Sequence, residues 1–165
     1  GKVDAIYAKG ANSATYIKKL GFRPILDVHA HPDPFIRVNT GTPRPVTVNR
    51  DLAEGHPEIV ARYLAMLLKT AEWAVGHPDE VVKAVASETG RSEDNVRCGY
   101  GPDLHRHFQI ALSPQYVGGL ELEKSFLRDF GFLAGDFDYR AWIDERPLAL
   151  ATEMVAAGDD VRFPD

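Results

Sequence analysis

The feature that most limits how this chain can fold is the apolar spacing after Pro57. Val60, Leu64, Leu67, Leu68, Ala71 and Val75 recur at helical intervals, so one long helix must bury a single face against something. Pro57 suits its first turn, where the missing N–H is no loss. A second helix is expected in "HPDEVVKAVASETG", opened by Pro78 and stopped by Gly90. Ser92 is placed to cap another, with acidic residues in its first turn. Ser113 and Pro114 open a further helix whose buried side would be Phe126, Leu127, Phe130 and Leu133, despite the Gly118–Gly119 pair. "DYRAWIDERPL" reads as a short terminal helix and "AAGDDVRFPD" as a frayed tail.

Ahead of these helices the chain has a different character. "KVDAIYA", "FRPILDV" and "PVTVN" are short and β-rich, and each reads as a strand. "NSATYIKKLG" lies between the first two as a helix, with Asn12 or Ser13 as N-cap and Gly21 as its stop. Strand, helix and strand in so few residues suggest a parallel α/β unit. The expected fold class is therefore α/β, with a few strands followed by several helices. So small a sheet leaves the helices short of a surface to pack on, which marks the chain as part of something larger.

Composition narrows the function classes. The 165 residues are enough for an ordinary domain and too few for a (β/α)8 barrel of typical size. A net charge of −5 gives no electrostatic support to nucleic-acid binding. No apolar run is long enough to span a membrane. The opening "GKVDAIYAKG" has no Met, no basic stretch and no apolar stretch, so no export signal is visible and a processed or shortened chain is expected. The lone Cys98 excludes an internal disulfide and a Cys-based zinc site.

Several motifs invite chemistry. "DVHAHPDP" follows an apolar run and sets His29 and His31 two apart, so on an extended strand both rings point the same way. A divalent ion could sit between them, with Asp27 or Asp33 behind. This is how a metal-dependent hydrolase would start its site, but no further ligand follows a convincing strand. The plainer reading is a pair of polar loop residues, and no metal or cofactor is expected. His105 and His107 form a second such pair with nothing in the spacing to join it to the first. Cys98 has no local partner of the kind a nucleophile needs. "NTGTPRP" offers small hydroxyls, an amide, the backbone around Gly41 and Arg44, which together suit an anion as well as they suit a plain turn. Tyr7 and Lys9 stand at the end of the first expected strand, where open α/β sheets bind ligands. Trp73 and Trp142 fall in helical patterns and read as packing residues.

Three stretches together resemble a known family. "GKVDAIYAKG", the run "TVNRDLAEGHPEIVARYLAMLLKTAEWAVGHPDEVVKAVASETG" and "FLRDFGFLAGDFDYRAWIDERPLALA" are similar, in order and spacing, to hallmarks of periplasmic substrate-binding proteins of the nitrate, sulfonate and taurine ABC transporters. The resemblance runs from Val3 to about Ala151. "RPILDV", "PVTVNRDL" and "GYGPDLHRHF" also resemble the aromatic sulfinate desulfinase branch of that scaffold.

The resemblance implies the C-terminal part of a type II periplasmic-binding-protein fold. Residues 1–38 would end one α/β lobe, 39–49 would form the crossover, 50–151 the helical part of the other lobe, and 152–165 the tail. It implies a bacterial solute-binding component for a small organic anion such as a sulfonate, nitrate or aromatic acid. The partner would be a membrane permease, and the location the periplasm or the cell surface as a lipoprotein. Ligand contacts would come from Tyr7, Lys9, Asn39, Thr40, Thr42 and Arg44. A desulfinase-like C–S hydrolase in the cytoplasm is the alternative, although Cys98 matches no catalytic position of that branch. Half of such a fold would leave apolar faces uncovered, so self-association is expected.

Overall fold

A computed structural model describes residues 2–8, 10–27, 33, 35 and 44–161. Of these, 63% are helical and none is in a strand. The described part is an all-helical fold, not α/β, and the few-strand type II binding-protein architecture is overturned by the same observation. The physical reason lies in what the three β-rich runs meet. A strand exists only as part of a hydrogen-bonded ladder with an apolar face covered. Here Val3, Ile25, Leu26, Val46 and Val48 are all exposed, so the residues between 2 and 8, 22 and 27, and 44 and 48 are irregular chain.

The helices in order are α1 Ala11–Leu20, α2 Arg50–Gly55, α3 Pro57–Gly76, α4 Pro78–Thr89, α5 Glu93–Tyr100, α6 Pro114–Asp129 and α7 Arg146–Ala157. Short 3-10 turns occupy Leu104–Arg106 and Tyr139–Trp142. Their ends follow local chemistry. The Asn49 side chain accepts from Asp51 N at 2.7 Å to start α2. Ser92 and Ser113 cap α5 and α6 by accepting from Asn95 N and Tyr116 N, each at 3.3 Å. Pro57, Pro78 and Pro114 open α3, α4 and α6. Gly21 and Gly90 close α1 and α4 in the left-handed conformation. The N-cap of α1 is Gly10, not Asn12 or Ser13, and the Ser13 hydroxyl instead donates to the Gly10 carbonyl. Regular structure extends through α7 to Ala157.

The chain divides into two compact units, Gly1–Leu26 with Thr70–Gln109, and Asp27–Lys69 with Ile110–Asp165. In the first, α1 packs on α5, and α4 packs on α5 and on the Leu104–Arg106 turn. Its core is made mostly of small side chains, Ala11, Ala74, Val81, Val82, Ala86 and Val96, together with Leu104. The packing is close enough that a Cβ on Gly99 of α5 would collide with the Gly10 carbonyl and Ala11 Cα.

In the second unit Val60, Ala61, Leu64 and Ala65 of α3 meet Ala151 of α7 and Val161. Lys69 Nζ donates to the Asp159 carbonyl at 2.7 Å and holds the chain after α7 against α3. Gly118 of α6 makes room for the Phe35 ring, whose nearest carbon would lie 2.6 Å from a Cβ there. The expected buried side of α6 is only partly so. Leu127 and Leu133 are half-buried, while Phe126 and Phe130 are exposed and stack on each other at 4.6 Å between ring centroids.

Candidate functional site

The second unit contains a groove of about 1100 Å³. One side is the irregular Pro45–Val48 stretch followed by Arg50 and Glu54 of α2. Its floor includes Val60 and Leu64 of α3, both core residues. Leu120, Glu123, Lys124 and Leu127 of α6 form a third side. The rest is an aromatic wall from the chain after α6, where Phe137 and Trp142 stack at 4.9 Å and Tyr139 lies beneath at 7% exposure. Trp142 is 79% exposed, so it is a surface ring on the groove rather than the packing residue its helical pattern suggested.

Two ion-pair clusters border the groove. Lys124 is nearly covered, its side chain 10% exposed, and its Nζ lies 2.8 Å from Asp136 and 3.1 Å from Glu121. It also donates to the Phe137 carbonyl at 3.2 Å and sits 5.5 Å from the Tyr139 ring centroid. The hydrogen bond with Asp136 holds the lysine above its ordinary pKa and the carboxyl below its own. Asp144 grips Arg146 in a bidentate pair at 2.9 and 2.7 Å, and that bond holds the Asp144 carboxyl below its usual range.

These pairs leave the groove with chosen rather than abundant charge. Lys124 and Arg146 are already neutralised. Arg50 lines the groove without an ion pair among the described residues. Glu54 and Glu123 share the lining, so Arg50 is the one place in it where an acidic group meets an unpaired cation among the described residues, and the two carboxylates disfavour a multiply charged ligand. The Tyr139 hydroxyl adds a second unused group: among the described residues it is a buried side-chain oxygen without a hydrogen-bond partner. An unpaired buried donor costs about 1–3 kcal/mol.

Of the residues expected to bind ligand, Tyr7 belongs to the first unit and Arg44 to the second; both are exposed and neither lines the groove. Lys9, Asn39, Thr40 and Thr42 lie outside the described residues, as do His29 and His31. Among the described residues no three His, Cys, Asp or Glu side chains gather as a metal site would require. His105 accepts from Arg106 Nε at 3.2 Å, and Cys98 is an exposed thiol of the first unit. The lining residues Arg50, Lys124 and Tyr139 were missed. Lys124 alone left a trace, because it shares one helical face with Leu120 and Leu127.

No protein-family model, curated protein or solved structure matches the chain.

Proposed function

We propose that the chain is a binding module for a small organic acid with an aromatic or otherwise apolar body, held in the groove of the second unit. The observation that carries this is the pairing of an aromatic wall, Phe137 and Trp142, with the guanidinium of Arg50 in one lining. A ligand ring can lie along the wall while its carboxylate or sulfonate takes a bidentate bond from Arg50. Among the described residues the lining contains no Ser, Cys or His, which favours holding a ligand over attacking it. The biological setting that goes with this chemistry is the solute-binding component of an ABC transporter, working in the periplasm or at the cell surface beside a membrane permease. That setting rests on the sequence resemblance alone, and the ligand class is what the groove supports.

Covering about 200 Å² of a fused aromatic ring contributes about 5 kcal/mol before the cost of immobilising the ligand. With one charge-assisted bond added, a dissociation constant on the order of 0.1 mM is expected. Isothermal titration of the chain with naphthalenesulfonate, naphthoate and neutral naphthol tests this. Both acids should bind at one site, naphthol about tenfold more weakly, and Arg50→Ala should abolish the difference. Absence of saturable binding by either acid would reject the proposal.

A further inference from the structure

The aromatic wall of the groove is built on a stretch with little regular structure of its own. Residues 130–138, between α6 and the Tyr139–Trp142 turn, form neither helix nor strand. Backbone hydrogen bonds tie the start of this stretch to α6, where Phe132 N and Leu133 N donate to the Leu127 carbonyl at 2.8 and 3.1 Å. Farther along, the attachment passes to side chains of α6. Arg128 reaches Asp136 at only 3.5 Å. Lys124 meets the stretch at several points: the Asp136 carboxylate at 2.8 Å, the Phe137 carbonyl at 3.2 Å, and the faces of the Phe137 and Tyr139 rings at 5.8 and 5.5 Å.

From this geometry we infer that Lys124 is the pin of a strap, residues 131–143, and that the strap's attachment sets how long a ligand stays in the groove. The inference about ligand residence rests on the binding function proposed above; the inference about the strap does not. Lys124 is a positioning residue. Its ammonium is occupied by Asp136 and Glu121, so it acts on the ligand through the rings it aligns. Phe137 passes that alignment to Trp142 by stacking. A pinned strap presents its rings already ordered, and a loose one must be ordered at each binding event. Such a contribution appears chiefly in the dissociation rate.

Hydrogen–deuterium exchange of the full chain, compared between wild type, Lys124→Met, Lys124→Arg and the charge exchange Lys124→Asp with Asp136→Lys, tests the inference. Lys124→Met should speed exchange across 131–143 about tenfold while α3 and α7 keep their protection. Lys124→Arg should restore slow exchange, and the charge exchange should restore it only in part, because an aspartate at that position cannot donate to the Phe137 carbonyl and faces Glu121. Stopped-flow release of naphthalenesulfonate should be about tenfold faster from Lys124→Met than from wild type. Unchanged exchange in 131–143, or a loss of protection shared equally with α3 and α7, would overturn the pin. Faster exchange of the strap in Lys124→Met, together with no binding of naphthalenesulfonate by wild type, would uphold the pin and reject the binding function.

Discussion

The two units solve the packing problem in opposite ways. The first closes on small residues: α1 and α5 approach until backbone meets backbone at Gly10 and Gly99, and Ala and Val side chains make up most of its core. The second surrounds a buried core of equally small residues with half-buried Leu, Ile and Met side chains, leaves a groove of about 1100 Å³, and edges it with ion pairs and rings. Close packing resists change and offers no space to a ligand. Among the described residues the second unit leaves Arg50 without an ion pair and the Tyr139 hydroxyl without a hydrogen-bond partner, a cost to stability and, on the proposed function, the requirement for binding. On the proposed function, recognition falls to the second unit and the first serves as structure.

The strongest way to break that contrast is at the glycines. Gly99→Ala should destabilise the first unit by about 3 kcal/mol, because the new Cβ itself meets the Gly10 backbone and cannot swing aside. Urea unfolding followed by circular dichroism reads this. Gly118→Ala in the second unit should cost less than about 1 kcal/mol, since the clash is with the far edge of the exposed Phe35 ring and alanine favours a helix. Equal penalties at the two positions would erase the distinction between the units.

Tyr139→Phe sharpens the comparison from the other side. Removing a buried hydroxyl that has no partner among the described residues should stabilise the free chain by about 1 kcal/mol, raising the melting temperature in differential scanning calorimetry. A fall in melting temperature would show that the hydroxyl is satisfied in solution.

The smallest expected effect is in pH dependence. Asp136 and Asp144 have carboxyls held below their ordinary values by Lys124 and Arg146. A carboxyl with a depressed folded pKa contributes stability above its unfolded pKa and loses it as pH falls through the folded one. The second unit should therefore loosen as pH drops through and below the usual carboxylate range, and each pair has one well-exposed partner, Asp136 and Arg146, through which salt weakens it. Thermal melts across that range should show the loss, and Asp144→Asn should remove part of it.

What was legible in the sequence was what is encoded locally. Pro57, Pro78, Ser92 and Ser113 start helices where their chemistry places them. A cap involves neighbours within a few residues, so one stretch suffices to read it. The strands failed for the complementary reason. β-rich composition in "KVDAIYA" or "PVTVN" states a preference, and pairing has to come from elsewhere in space. Phe126 and Phe130 failed likewise, since helical spacing aligns two rings without saying whether anything covers them. The groove was illegible because its lining draws on Val46, Leu64, Lys124 and Trp142, far apart in the chain. Only Lys124, a charge on an apolar helical face, hinted at it.

The chain has two tryptophans, Trp73 in the first unit and Trp142 in the second. Trp73→Phe leaves Trp142 as the reporter, and the difference between wild type and Trp73→Phe reports Trp73 with the groove intact. Titrating naphthalenesulfonate into both proteins tests the division of labour directly. A saturable change in Trp142 emission with none in Trp73 is predicted. A Trp73 response equal to that of Trp142, or no saturable response from Trp142, would contradict the assignment of recognition to the second unit.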